Sequence, residues 1–285
     1  MIRVAFLGCD STHTEAFGNR INKPGAPFHD LAKVVSIWGE DFDQAAAKAE
    51  NLGIAKCCKR ISEALKDADF AMVIGRFGNS HFEPARMALD QGIPTFVDKP
   101  FTTSFDQAKK LAQIANSSGA RLVSSSPLRF ARELKDLTHE KFKPEFVCVS
   151  APANCTDLGD DSRFQSPFFY GIHGVEVLLE LMGDSVRHID VMPGKRVITV
   201  QIDFADATGA VQLVRDADEF YAVHAYGQHE RRDLSIALDG SYYPRLLSFL
   251  FEEFYPGLRT ISLQSTLHAI EILEEAERTD VGPGR

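Results

Sequence analysis

Short apolar runs punctuate the first 126 residues at Ile2–Leu7, Val34–Trp38, Phe70–Ile74, Thr95–Val97 and Arg121–Ser124. Between them lie stretches of helical character, Asp43–Leu52, Ile61–Lys66, Ser80–Gln91 and Ser104–Ser117. Continuous apolar strands alternating with helices predict a parallel sheet covered on both faces. Right-handed crossovers then lead to a Rossmann-type, doubly wound α/β domain. Gly53, and Gly92 followed by Pro94, mark the ends of two of these helices.

The pattern changes after Ser126-Pro127. Residues 146–153, 187–192, 197–204, 209–215, 219–226 and 233–238 read as successive strands, with Gly209 in a hairpin turn and one helix at about 172–183. Consecutive strands predict a C-terminal α+β domain with an open-faced, largely antiparallel sheet. The expected domains are 1–126, for a dinucleotide, and 127–262, for substrate and oligomerisation. The last helix, 263–277, is expected to pack back on the first domain, with Val281–Arg285 as a loose tail.

Composition narrows the function. At 285 residues there is room for two domains, and the net charge of −9 argues against nucleic acid, whose partners carry a basic surplus. The 44% hydrophobic content describes a soluble globular protein. No apolar run approaches the ~18–20 residues of a membrane span. The opening MIRVAFLGCD reads as a first strand and not as a signal peptide. Five scattered cysteines without zinc-finger spacing read as reduced thiols of a cytoplasmic protein.

The first strand runs into Gly8-Cys9-Asp10-Ser11-Thr12-His13. A dinucleotide loop has G-x-G-x-x-G here, so Asp10 stands at the second glycine and His13 at the third. Asp10 would repel a pyrophosphate, or else cap the following helix. Ser11, Thr12 and His13 can donate hydrogen bonds at a helix N-terminus, which attracts anions. An Asp10/His13 metal pair lacks a third ligand, so no metal is expected. After the second strand, Glu40, with Asp41 second, is placed for the ribose hydroxyls of NAD and against the 2′-phosphate of NADP; the other reading is that both cap the next helix.

Three segments, FAMVIGRFGNSHFEP from Phe70, ARMALDQGIPTFVDKP from Ala85 and YGIHGVEVLLELMG from Tyr170, carry a family resemblance. The sequence resembles the Gfo/Idh/MocA oxidoreductases. Asp98-Lys99-Pro100 looks like their Glu-Lys-Pro, the Gly171-Ile172-His173 stretch like their Gly-x-His, and Asn79 and His81 match residues beside the nicotinamide. The chain departs in its degenerate glycine motif, in Phe169 where the family has an Asp four residues before its His, and in a length short for the family, which implies trimmed substrate loops. Arg76 and Phe77 replace a small proline-containing loop and would narrow the pocket.

The resemblance implies hydride transfer between NAD and a secondary alcohol of a sugar or cyclitol. His173 would take the hydroxyl proton, and Lys99 would hold the reacting oxygen and stabilise the alkoxide. The cofactor contacts implied are Gly8, Ser11, Thr12, His13, Glu40, Asn79, His81, Asp98 and Lys99. Substrate contacts are Arg163, Tyr170, His173 and Glu176. His173 is expected at a helix N-terminus, where the dipole disfavours its charged form. Glu176 either orients the imidazole or lies on a solvated face. His224, His229, Arg231 and Arg232 read as a solvated sheet edge or a subunit contact. Two other functions stay open: a lyase, hydratase or glycosidase using NAD transiently, and a non-catalytic Rossmann-like binding protein. A homo-oligomer is expected.

Overall fold

Burial on both sides of nearly every residue shapes the first sheet. It contains β1 (Ile2–Leu7), β2 (Ala32–Trp38), β3 (Lys56–Cys58), β4 (Phe70–Val73), β5 (Thr95–Val97) and β6 (Leu122–Ser124). All pairs are parallel, in the order β3-β2-β1-β4-β5-β6. All four residues of β4 are buried, as a doubly covered strand requires. The helices between strands are α1 (His13–Asn22), α2 (Phe42–Leu52), α3 (Ile61–Leu65), α4 (Phe82–Asp90) and α5 (Phe105–Ser118). Strand order reverses between β1 and β4, so the loops that leave their carboxyl ends flank a switch point, the usual ligand position in such sheets.

The structure, a computed structural model, describes residues 1–137, 142–154 and 161–280. The chain divides into two units: Met1–Thr102 with Asp106–Ser125 and Tyr243–Leu263, and Thr103–Phe105 with Ser126–Tyr242 and Gln264–Arg285. The second unit holds β7 (Phe146–Pro152), α6 (Pro167–Met182), β8 (His188–Pro193), β9 (Val197–Asp203), β10 (Thr208–Val214), β11 (Ala222–Tyr226) and β12 (Arg231–Ser235). Its sheet runs β12-β11-β7-β10-β9-β8; β7 and β10 are parallel and the other neighbours antiparallel. Helix α6 lies on β7 at unusually short range. A Cβ on Gly174 would stand 2.6 Å from the Cβ of Ala151, so only glycine lets the two backbones approach this closely.

Three expectations change. Gly209 is not in the hairpin turn: it pairs with Ile202 and Val147 inside β10, and the turn is closed by Phe204 N–H donating to the Ala207 carbonyl at 2.9 Å. The last helix, α8, belongs to the second unit. After α7 (Tyr242–Ser248), α8 (Leu263–Asp280) is tied there by Ser166 Oγ to Glu277 at 2.6 Å and Arg129 to Ser265 Oγ at 3.0 Å. What returns to the first unit is Tyr243–Leu263, a π-helical turn included. Its apolar run explains this: the Phe251 and Phe254 rings sit 6.0 and 6.1 Å from Phe70. The tail at Val281–Arg285, and Cys155, lie outside the described residues. Among those described, no helix is long and apolar enough to cross a membrane.

Candidate active site

The loop after β1 shows how a degenerate glycine motif still makes an anion cradle. Gly8 adopts φ +104°, and a Cβ there would meet Gly75 N at 2.5 Å, so the chains leaving β1 and β4 nearly touch. Among the described residues the backbone N–H groups of Asp10, Ser11 and Thr12 have no partner, which leaves three adjacent donors at the start of α1. Asp10 does not cap that helix. The cap position is Thr12, while Ser11 Oγ accepts the His13 N–H at 3.1 Å. The Asp10 carboxylate instead accepts the Arg76 N–H at 3.0 Å, and Arg76 Nε donates to the Asp10 carbonyl at 2.9 Å. The Asp10 carboxylate is thus engaged by a backbone amide of the loop after β4, with the Arg76 guanidinium on the Asp10 carbonyl. The loop therefore fits a dinucleotide, held by these amides, with Ser11 and exposed Thr12 beside them. Glu40 is exposed after β2, whereas Asp41 caps α2 by accepting the Gln44 N–H at 3.0 Å. Cys9 is inert: burial, then the charge of Asp10, pushes its thiol up to about 11.

The two departures at positions 13 and 98 meet. His13 Nδ1 is hydrogen-bonded to Asp98 Oδ2 inside the first unit, a ring where the usual motif has glycine against an acid one methylene shorter than the usual Glu. The His13 ring does not donate to a pyrophosphate, because its Nε2 faces the Tyr243 hydroxyl at 3.1 Å. Asp98 is 1% exposed. Burial alone would push its carboxyl up, but the charge and hydrogen bond of His13, with Lys99 behind them, hold it below the ordinary range. Its Oδ1 accepts the backbone N–H of Lys99 at 2.8 Å, fixing that residue just beyond β5. Lys99 is buried, and its peptide bond to Pro100 is cis. Asn79 is exposed in a short turn at Gly78–Ser80. His81 is fully buried, with Nδ1 2.9 Å from the Pro100 carbonyl and Nε2 2.8 Å from that of Gly75. Its ring thus ties the loop after β4 to the segment after Lys99 and offers no free nitrogen to a nicotinamide. Arg76 is spent on Asp10, and Phe77 is buried.

His173 is buried and differs from its expectation in its place along the helix. Helix α6 begins at Pro167, capped by Ser166 Oγ, so His173 lies in its second turn, where the dipole of the terminus has largely faded. Its Nδ1 meets Ser126 Oγ at 2.6 Å, and Ser126 Oγ also accepts the Leu128 N–H at 3.1 Å. Ser126, not Glu176, therefore orients the imidazole. Glu176 is not on a solvated face. It is 3% exposed and accepts Ser126 N–H and Arg129 Nε, each at 2.7 Å, while Arg129 also reaches Glu180 at 3.0 Å. The buried pair thus fixes the backbone whose hydroxyl holds His173. Tyr221 packs edge-on to the imidazole at 5.4 Å, its phenol kept protonated by burial and by Glu219. Phe169, at the position of the family's Asp, is buried against Phe164 with centroids 4.9 Å apart. Tyr170 lies 6.4 Å from His173, ring to ring. Arg163 is half exposed and pairs with Asp161, whose carboxyl it holds down at about 2.

Ser126, Arg129 and Tyr243 escaped the sequence reading. The signal available for two of them was Ser126-Pro127, a cap followed by proline, ahead of an Arg that had to be buried to matter. At the far edge of the second sheet, His224 and Arg231 share Asp233, and the half-buried Arg232 pairs with exposed Glu230. Among the described residues no three His, Cys, Asp or Glu side chains converge on a metal position.

Residues 2–126 match the family model for the Gfo/Idh/MocA oxidoreductases, described as an oxidoreductase family with an NAD-binding Rossmann fold. The chain is 38% identical over 71 residues to the uncharacterized oxidoreductase YhhX of Escherichia coli, a stretch that is 25% of this chain and 21% of that protein. Over 111 residues it is 27% identical to inositol 2-dehydrogenase 3 of Saccharopolyspora erythraea, covering 37% and 32% of the two chains. These curated relatives are thus matched over a third of their length or less. The fold is that of the myo-inositol dehydrogenase of Lactobacillus casei, solved with NAD(H) and myo-inositol, at TM-score 0.78 and 15% identity over 98% of this chain and 94% of that one. Residues 2–126, with their switch-point loop and Asp98-Lys99-Pro100, are thus similar to the NAD-binding Rossmann domain of the Gfo/Idh/MocA oxidoreductases.

Proposed function

We propose that the protein is an NAD-dependent dehydrogenase acting on a secondary alcohol of a small polyol, sugar or cyclitol. The observation that carries this reading is Lys99: a buried amine-bearing residue at the carboxyl end of β5, its backbone fixed by an ionised acid, beside a loop that fits a pyrophosphate. NAD, when bound, supplies the hydride acceptor. Gly8, Ser11 and Thr12 would hold it through backbone and hydroxyl, Glu40 would take its ribose hydroxyls, and Asn79 would border it. The acidic Glu40 favours NAD over NADP.

Lys99 would hold the substrate hydroxyl and stabilise the alkoxide that develops on it. His173 would accept the proton. Its Nδ1 is oriented by Ser126 Oγ, and Tyr221 packs edge-on against the ring. Tyr170 and Arg163 would contact substrate, whereas Glu176 acts on it only through Ser126. The inositol dehydrogenases among the relatives support the polyol class. Free thiols at Cys9, Cys57, Cys58 and Cys148 support a cytoplasmic setting, and the reading includes a homo-oligomer.

The test is an NADH fluorescence titration followed by a screen of polyols with NAD. Saturable binding and steady NADH release with one of them are expected. Turnover without net NADH would move the protein to the transient-oxidation enzymes. Absence of binding at millimolar NADH would remove both enzyme readings.

A further inference from the structure

His13 occupies a position from which a side chain would ordinarily be excluded, and it is 7% exposed in the first turn of α1. Both of its ring nitrogens are committed: Nδ1 to Asp98 Oδ2 and Nε2 to the Tyr243 hydroxyl at 3.1 Å. Asp98 uses its other oxygen on the backbone N–H of Lys99 at 2.8 Å. The chain of contacts therefore runs Tyr243, His13, Asp98, Lys99, through three elements of one unit. Since a carboxylate accepts only, and Asp98 is held ionised, Nδ1 carries the hydrogen. The other ring nitrogen, Nε2, meets the Tyr243 hydroxyl, so the ring is held from both sides. Tyr243 is itself held by aromatic packing, its ring 5.3 Å from His13 and 5.9 Å from Phe17, with the Arg20 guanidinium 5.4 Å over its face.

We propose that His13 is a positioning residue for Lys99, acting through Asp98, with Tyr243 locking the imidazole in the orientation this requires. Without the His13 hydrogen, Asp98 would be a buried carboxylate lacking its strongest partner. It would then take up a proton or turn, and in either case loosen its hold on the Lys99 amide. The catalytic importance of Lys99 rests on the function proposed above, but the linkage itself does not.

Hydrogen exchange of the Lys99 amide, followed by NMR in the full-length protein, reads the linkage directly, and NADH titration reads its use. His13→Ala is expected to speed Lys99 exchange and weaken NADH binding, each about tenfold or more, the size expected for losing a charge-assisted hydrogen bond. His13→Asn places an amide N–H where Nδ1–H was and should stay within about threefold of wild type on both. Tyr243→Phe should move the His13 Nε2 nitrogen resonance toward that of a ring nitrogen without a hydrogen-bond partner. Should His13→Ala fail to fold, the other two variants still decide. Equal Lys99 exchange in wild type and a folded His13→Ala, loss in His13→Asn as severe as in His13→Ala, or an unmoved Nε2 resonance in Tyr243→Phe would overturn the proposal. If wild type binds no NADH, the proposed function falls, while the exchange measurements still judge the linkage.

Discussion

Lys99 and His173 are each held by a buried acid, but at different removes. Asp98 touches Lys99 through its backbone and takes its own charge balance from His13. Glu176 never reaches His173: it holds the Ser126 N–H and the Arg129 guanidinium, and a neutral hydroxyl makes the final contact. The difference is chemical. A carboxylate against an imidazole fixes its tautomer and favours its charged form, whereas a hydroxyl can rotate to suit either form and adds no charge. The first unit thus spends its charge on placing a lysine, and the second keeps charge one residue away from its candidate base.

The largest effect should come from breaking the second arrangement at its acid. Glu176→Ala leaves Arg129 buried with only Glu180 and Ser265, and should cost about 3–5 kcal/mol in urea unfolding. Joint replacement of Arg129 and Glu176 by apolar residues should cost much less. Equal losses would mean that the pair is not what holds this region. Lys99→Ala should lower kcat by roughly 10²–10³ with unfolding unchanged, the scale of a lost oxyanion stabiliser. Retained turnover would show that the first unit's acid positions something else. Gly174→Ala should destabilise by about 1–3 kcal/mol through overpacking on Ala151, and lower kcat because it moves His173.

Smallest is an acid effect confined to the first unit. The folded Asp98 carboxyl lies below its ordinary range, so its stabilisation is fully present above that range. It is lost as pH falls through the folded value, with a slope of at most about 1.4 kcal/mol per pH unit. Asp98→Asn should flatten the part of the acid limb due to this group in a pH series of urea midpoints. An unaltered limb would place the acid sensitivity elsewhere.

Much of this fold was readable because its strands are apolar runs and its helices have a buried side. Even so, β3 escaped, since Lys56-Cys57-Cys58 is short and half polar and pairs only with β2. The start of α6 escaped because Pro167-Phe168-Phe169 is buried all round and gives no stripe to follow. The candidate site was legible as motifs, Asp98-Lys99-Pro100 and Gly171-Ile172-His173, and not as contacts. His13 lies 85 residues before Asp98, and Ser126 lies 47 before His173. No periodicity reports such distances, so two apparent defects at positions 13 and 98 could not be read as one compensated pair. Glu176 misled for a related reason: the solvated-face alternative fails because an arginine from another segment buries that side of the helix.

One edge of the second sheet has a consequence for growth. On β12 the outward charges are already engaged in a small ladder, Arg231 with Asp233, Asp233 with His224 across the strands, and Arg232 with Glu230. A further strand adding there would have to lie against that ladder and desolvate it. Such engaged charges disfavour edge-to-edge addition of another strand, the usual route from an open sheet to an aggregate.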